Sequence, residues 1–265
     1  MKSRLDVLLH REGYFESREL ARAAVMEGLV KVDERPATKP GTQVSGKELI
    51  QVERPARSYV SRGGLKLEHA LDTFCIDASG RTALDVGAST GGFTDCLLAR
   101  GASKVFALDV GKGQLHWKLR NDPRVVVIER FNARNLEPGD LGEQPSLATA
   151  DVSFISLRRV LEPVMKTLEE GGTVVALVKP QFEAGRAQVG RGGVVRDPAV
   201  HEDVIAGLKS WLEGRQMSMR AAVASPLKGP KGNLEFFVLV ARGAGSSISP
   251  GELRSVVRRA HGLED

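Results

Sequence analysis

The sequence predicts an α/β protein with a mostly parallel sheet, preceded by a small α+β module. Two observations predict this fold class. Short apolar segments alternate with helix-like stretches from residue 82 onward, and the first 55 residues follow a different pattern of short helices and short strands. A chain of 265 residues that is 42% hydrophobic is long enough for one medium domain and a small companion.

The N-terminal module spans residues 1–55. Ser3 and Ser17 are residue types that cap helices, so they predict two short helices, each ending near a glycine. Two β-like segments, 29–32 and 49–52, follow with a turn-rich stretch between them. We therefore expect a module with a thin core that depends on its neighbour.

Residues 56–62 predict a linker and residues 63–265 a second domain. The linker follows a proline in a polar stretch. The strands of the second domain are predicted at 82–86, 105–108, 125–129, 146–150, 173–178 and 234–240, and the helices at 92–100, 157–170 and 249–262. Strand and helix alternate in the βαβ manner, which predicts a Rossmann-like sheet covered on both faces.

Composition excludes several classes of protein. No stretch approaches the roughly 20 apolar residues of a membrane helix, and the N-terminus has no signal-peptide core, so we expect a cytoplasmic protein. Cys75 and Cys96 predict reduced core cysteines, and with no His cluster nearby we expect no metal site. The net charge of +5 permits a polyanionic partner without requiring one.

A glycine-rich turn after the first strand of the second domain is the clearest local signal. Gly87, Gly91 and Gly92 let the backbone approach a ligand closely, and Asp85 lies on the strand before them. Asp109 ends the next strand, where a carboxylate can bind ribose hydroxyls. Glycine turns also occur where elements simply pack tightly, but the two acids favour a nucleoside cofactor.

The charge of the turn favours S-adenosylmethionine over a dinucleotide. The glycines lack the Gly-x-Gly-x-x-Gly spacing that seats a pyrophosphate, and Asp85 would repel one. The cationic sulfonium and ammonium of S-adenosylmethionine suit a carboxylate. We expect further cofactor contacts from the rest of the turn and from the end of the third strand, namely Ala88, Ser89, Phe93 and Asn132, although Asn132 equally fits a simple turn residue.

Four ionisable residues lie at the edges of predicted elements. Asp151 and Lys179 follow the fourth and fifth strands, so they face the ligand crevice at the carboxyl ends of the sheet. Lys66 precedes the first strand and Glu235 opens the last one. Each could be a surface charge alone, but the order Lys, Asp, Lys, Glu resembles the tetrad of FtsJ-like ribose 2′-O-methyltransferases.

The resemblance extends over essentially the whole chain. Residues 4–6, 17–18, 28–32 and 39–40 resemble an S4-type RNA-binding domain, except that Asp33-Glu34 stands where many such domains have Asn-Gly. The motifs that follow in order match the TlyA family of rRNA cytidine 2′-O-methyltransferases, often called hemolysin A; they lie at 61–67, 85–95, 111–115, 120–125, 151–157, 178–183 and 232–237.

This resemblance implies methyl transfer from S-adenosylmethionine to the ribose 2′-hydroxyl of cytidine in ribosomal RNA. It leaves open whether the target lies in 16S rRNA, 23S rRNA or both; a C-terminal helix favours both the 30S and 50S subunits. We expect Lys179 to deprotonate or polarise the 2′-hydroxyl, with Asp151 and Glu235 orienting the lysines and Lys66 assisting on the RNA side. Which lysine is neutral stays open.

Several residues are candidates for binding RNA. In the S4 module these are Arg4, Arg18 and Arg22. The segment 185–196 has four glycines, three arginines and no acid, which predicts a mobile loop that clasps phosphates; an ordinary surface loop is the alternative. Its arginines are Arg186, Arg191 and Arg196. Phe154 could stack on a base removed from its helix, or be a core phenylalanine.

Three other functions remain as alternatives. A non-catalytic RNA-binding factor in ribosome assembly would keep the fold without binding cofactor. A membrane-active hemolysin, suggested only by the common name, would need an amphipathic or spanning segment, and the sequence has none. An NAD-dependent oxidoreductase is disfavoured by Asp85. The sequence does not indicate an oligomeric state.

Overall fold

A computed structural model describes residues 3–15, 18–26, 28–52, 59–243 and 245–263. They form two compact units, Met1–Ser58 and Tyr59–Asp265, each with its own hydrophobic core. The predicted cap residue Ser17 and residues 56–58 of the predicted linker lie outside the described residues.

The described residues of the first unit form two helices and five short strands. The helices are α1 (Leu5–Arg11) and α2 (Arg18–Met26); the strands are β1 (Ser3–Arg4), β2 (Val30–Val32), β3 (Arg35–Pro36), β4 (Gln43–Val44) and β5 (Ile50–Val52). Strands β3, β2 and β5 form one antiparallel sheet, and β1 pairs with β4. The predicted cap at Ser3 is wrong: its backbone pairs with β4, so the helix begins at Leu5.

The second unit is built on a seven-stranded sheet. Its strands are β6 (Thr82–Val86), β7 (Lys104–Asp109), β8 (Val125–Glu129), β9 (Leu147–Ala150), β10 (Thr173–Val178), β11 (Met217–Ala224) and β12 (Phe236–Arg242). The spatial order is β11-β12-β10-β9-β6-β7-β8. Only β12 runs against the other six, so the predicted mostly parallel sheet is confirmed. Strand β11 was not predicted.

Helices cover both faces of this sheet, as predicted. They are α3 (Gly63–Thr73), α4 (Gly92–Ala99), α5 (Trp117–Arg120), α6 (Leu161–Thr167), α7 (Pro180–Glu183), α8 (Pro198–Glu213) and α9 (Pro250–Ala260). Alternate residues of β10 face opposite sides of the sheet and belong to two hydrophobic clusters. Val174 and Ala176 pack with α6 and α8, whereas Val175 and Leu177 pack with α3 and α4.

Two sequence expectations need correction in this unit. The helix predicted at 157–170 is a 3₁₀ turn at Leu157–Arg159 followed by the shorter α6. Cys96 is buried, but Cys75 is exposed, because it adopts a left-handed φ of 54° just after the end of α3, where the chain leaves the core.

The predicted C-terminal helix is present as α9. Ser249 caps it in a reciprocal arrangement with Glu252, and Leu253, Val256 and Val257 are buried in the core. Within the described residues, no helix of the chain combines the length and apolarity needed to cross a bilayer.

Candidate active site

A cleft of about 1270 Å³ opens at the carboxyl ends of the parallel strands. Residues from the turn after β6, the end of β7 and the segment after β9 line it. The predicted site residues on its wall are Gly87, Ser89, Asp109, Asn132, Asp151, Phe154 and Arg186. The cleft therefore joins candidate cofactor residues, one tetrad acid and candidate RNA contacts in one space.

Asp109 is held in place on the wall of the cleft by two backbone amides. Ser89 N–H donates to Oδ2 at 2.8 Å, and Gly111 N–H donates to Oδ1 at 2.7 Å. A carboxylate oxygen accepts two hydrogen bonds, so each oxygen retains capacity for a ligand hydroxyl. Asn132 also lines the cleft, and its Oδ1 accepts from the backbone and side chain of Arg134, so it combines the two expected roles of turn residue and cleft residue.

The glycines of the turn allow close packing against protein atoms. A Cβ on Gly87, at φ 85°, would lie 2.4 Å from the carbonyl oxygen of Asp151. A Cβ on Gly91 would lie 2.2 Å from Leu119 Cδ1, and a Cβ on Gly92 would lie 2.2 Å from Ser61 Oγ. The expected close approach of Gly91 and Gly92 to a ligand is therefore an approach to neighbouring protein segments, and Gly87 is the glycine that borders the cleft.

Three residues predicted to contact the cofactor are buried and are not among the residues that line the cleft. Ala88 and Phe93 belong to the core. Asp85 is fully buried and accepts hydrogen bonds from Thr94 Oγ1 at 2.7 Å and Thr149 Oγ1 at 3.0 Å. Burial raises the pKa of Asp85 to about 7. The carboxyl of Asp85 is therefore only partly ionised at neutral pH, whereas the sequence suggested a full negative charge. Its hydrogen bonds to Thr94 and Thr149 connect parts of the fold.

The four tetrad residues form two lysine–carboxylate pairs. Lys66 Nζ lies 2.6 Å from Glu235 Oε2, and both side chains are buried. Lys179 Nζ lies 2.5 Å from Asp151 Oδ1 and also donates to Ser153 Oγ at 2.9 Å. Each lysine thus contacts one of the two acids, and the orienting role of these acids stays a prediction.

The sheet places residues of both pairs at the carboxyl ends of its parallel strands. Ala150 of β9 pairs with Ala176 of β10, and Val178 of β10 pairs with Phe236 of β12. Asp151 and Lys179 therefore follow the ends of neighbouring parallel strands. Because β12 is antiparallel, Glu235 precedes its strand at this same edge, next to Lys179 in register.

Phe154 presents its ring to solvent at the cleft. It is 90% exposed, has a φ of 64° and contacts the ring of Phe182 at a centroid distance of 5.1 Å, so the alternative of a core phenylalanine is wrong. Glu183 holds this segment, because it accepts from Ser156 Oγ at 2.7 Å and from Leu157 N–H at 2.6 Å. Burial raises the pKa of Glu183.

The predicted arginine loop has more structure than a mobile loop. Gly190 and Val194 form a β-bridge, and Val194 and Val195 are buried. The arginines remain available: Arg186 lines the cleft, and Arg191 and Arg196 are exposed.

In the first unit, Asp6 organises two of the candidate RNA-binding arginines. Its buried carboxylate accepts from Arg4 Nε at 3.0 Å and from Arg18 Nε at 3.1 Å, and these bonds lower the pKa of Asp6. Both guanidinium groups stay about half exposed, and Arg22 is exposed on α2. This arrangement can present cations to a polyanion.

Several residues of the cleft wall were not predicted as site residues from the sequence, among them Gln114, Arg134, Ser153, Gln181 and Phe182. Ser153 and Arg134 each lie two positions after a residue that was chosen, so proximity in sequence was an available signal. Among the described side chains, no group of three or more His, Cys, Asp or Glu is arranged to hold a metal ion.

Comparisons with known proteins identify the family of both units. Residues 59–242 match the family profile of FtsJ-like methyltransferases, and residues 3–50 match the S4 domain. A Mycobacterium tuberculosis relative named 16S/23S rRNA (cytidine-2′-O)-methyltransferase TlyA is 45% identical, covering 98% of this chain and 97% of that protein. A Brachyspira hyodysenteriae relative named Hemolysin A is 43% identical, covering 88% and 97%.

A solved Streptococcus thermophilus structure carrying the name hemolysin has 43% identity and a TM-score of 0.79, covering 99% of this chain and 96% of that one. An S-adenosylmethionine-dependent methyltransferase fold from Listeria monocytogenes has a TM-score of 0.50 at 17% identity, covers 69% of this chain and 99% of that one, and shares the fold alone. The chain belongs to the FtsJ-like methyltransferases with an N-terminal S4 domain, in the family of TlyA.

Proposed function

We propose that this protein transfers a methyl group from S-adenosylmethionine to the ribose 2′-hydroxyl of cytidine in ribosomal RNA of the 30S subunit, the 50S subunit or both, in the cytoplasm. The observation that carries the proposal is the meeting of two lysine–carboxylate pairs at the carboxyl edge of the sheet, beside the cleft. The name and extent of the TlyA relative support the choice of substrate.

The cleft residues fit S-adenosylmethionine. Asp109 offers carboxylate oxygens with remaining hydrogen-bond capacity, which suits ribose hydroxyls, and Asn132 adds an amide on the same wall. When bound, this cofactor supplies a methyl group already activated by its sulfonium. Asp85 supports the turn from beneath through Thr94 and Thr149 rather than facing the cleft.

The contacts of Lys179 support a role for this residue in the reaction. A 2′-hydroxyl is a weak nucleophile until its proton is removed or its oxygen is polarised. Beside the Asp151 carboxylate, a charged Lys179 can donate a hydrogen bond to the 2′-oxygen. To act as a base, Lys179 must first lose a proton, and Asp151 is its nearest acceptor. Lys66 and Glu235 form the second pair, and both of their side chains are buried.

The exposed aromatic and basic residues suit RNA. Phe154, with its ring open to solvent at the cleft and backed by Phe182, suits stacking on a cytosine taken out of its helix. Arg186 lies on the same wall, where a cation can bind the adjacent phosphate. The Arg4 and Arg18 guanidinium groups of the S4 unit would select the RNA segment.

Transfer of tritium from labelled S-adenosylmethionine to unmodified 30S and 50S subunits, assayed separately and mapped by nuclease digestion, tests this function. We expect label at a cytidine 2′-oxygen and a loss of at least about 100-fold in Lys179→Ala. Lys166→Ala, which removes a surface lysine paired with Glu162, is the matched control and should retain full activity.

Two results would contradict the proposal. Full transfer by Lys179→Ala would remove that lysine from the mechanism. If the wild-type protein bound S-adenosylmethionine but labelled neither subunit, the substrate would be another RNA; if it did not bind the cofactor, the alternative of a non-catalytic assembly factor would be favoured.

A further inference from the structure

The buried side chain of Asn233 connects two loops of the second unit. Asn233 is 2% exposed. Its Oδ1 accepts a hydrogen bond from Val195 N–H at 3.1 Å, and its Nδ2 donates to the carbonyl oxygen of Gly193 at 3.0 Å. One amide thus satisfies both a donor and an acceptor of the segment that carries the candidate RNA-binding arginines.

The bonded segment is a tight turn with an arginine near its tip. Gly193 N–H donates to the Gly190 carbonyl and Gly190 N–H donates to the Val194 carbonyl, each at 3.0 Å. Arg191 occupies the second position of this turn and is exposed. Asn233 binds the chain just after the turn at two atoms, Gly193 O and Val195 N. It therefore fixes the direction in which the turn presents Arg191.

The backbone of Asn233 also supports the active site. Its carbonyl accepts from Gly229 N–H at 2.8 Å. Gly229 packs directly against the tetrad acid, since a Cβ there would lie 1.9 Å from Glu235 Oε1. The other oxygen of Glu235 binds Lys66. A displacement of Asn233 would therefore move the wall against which Glu235 is packed, two residues further along the chain.

We infer that Asn233 is a positioning residue that couples the arginine turn at 190–194 to the Lys66–Glu235 pair. RNA that is bound by Arg191 would thereby be held at a fixed position relative to the tetrad. The inference rests on the proposed function. The amide is chemically specific for this role, because the segment requires one acceptor and one donor from the same buried side chain.

Asn233→Asp is the sharpest test, because it keeps the shape and the acceptor for Val195 but removes the donor to Gly193. We expect hydrogen exchange of a peptide spanning 190–195 to rise about tenfold and the KM for unmodified subunits to rise about five- to tenfold. The affinity for S-adenosylmethionine should not change. Asn121→Asp makes the same chemical change at an exposed helix end and is the matched control.

A double-mutant cycle separates this role from general destabilisation. Arg191→Ala alone should raise KM, and adding Asn233→Asp should raise it little further if both act through the turn. Fully additive effects, or unchanged exchange at 190–195, would overturn the inference. Exchange and direct binding of subunits report on the turn whether or not methyl is transferred, so failure of the proposed function is recognised separately, by absence of transfer in the wild-type protein.

Discussion

Replacing one member of the buried Lys66–Glu235 pair should lower the stability of the second unit much more than replacing both members. Their side chains are 7% and 0% exposed, and their charged atoms are 2.6 Å apart. In Lys66→Met, the Glu235 carboxylate would keep its burial and lose its cation. Breaking a buried pair in this way costs about 3–5 kcal/mol, whereas replacing both partners by apolar residues of similar volume is often nearly neutral.

The assay can be confined to the second unit, because the two tryptophans of the chain are Trp117 and Trp211 and both lie within it. Thermal unfolding followed by tryptophan fluorescence should show a Tm lower by roughly 10 °C in Lys66→Met. The double variant with Glu235→Leu should recover most of that Tm, yet remain inactive in methyl transfer.

This pattern separates stability from chemistry. If the double variant recovered both Tm and activity, the pair would serve only the fold. An unchanged Tm in Lys66→Met would refute the reasoning itself, since it would mean that Glu235 is not confined in a buried ion pair.

Three further outcomes are expected. Asp85→Asn should gain stability relative to wild type as pH rises from about 4 to about 7, by up to about 4 kcal/mol. The pKa of Asp85 is raised to about 7 in the folded protein, so over this range the carboxyl ionises in the unfolded chain only, and this favours the unfolded wild type. Denaturant titrations at pH 5 and pH 8 would show a constant difference if this were wrong. Phe154→Ala should leave Tm within about 1 °C but lower RNA methylation at least about tenfold, and a loss of Tm instead would show a packing role. Ser249→Ala should cost about 1 kcal/mol, a fall in Tm of about 3 °C by fluorescence; no fall would mean that the Ser249 cap does not contribute to the stability of the unit.

Local patterns in the sequence were sufficient to predict the residues at the ends of parallel strands. Asp151 and Lys179 follow apolar strands, and the rule that parallel strands end at one edge brings them together without knowledge of side-chain packing. The partner of Lys66 could not be predicted in this way. Lys66 and Glu235 are separated by 169 positions, and only the antiparallel insertion of β12 makes them neighbours.

Burial was the property that sequence reasoning judged least well. Asp85 and Phe93 lie in a motif that suggests ligand contact, yet tertiary packing turns both side chains into the protein. Phe154 is apolar and was a candidate for the core, but a left-handed backbone directs it outward. Strand β11 was missed because its alanines and methionines, with a bulge after Met219, give no clear period of two.

The antiparallel strand β12 also has a consequence for biosynthesis. It lies between β10 and β11, next to one side of the sheet, and brings Glu235 to the carboxyl ends of the parallel strands, so the position beside β10 stays unfilled until residues 236–242 have been synthesised. A growing chain can form the first parallel strands early, yet lacks one tetrad residue until nine-tenths of the protein has been synthesised. Nascent chains that end before Glu235 should therefore be unable to methylate RNA, even when their parallel strands have formed.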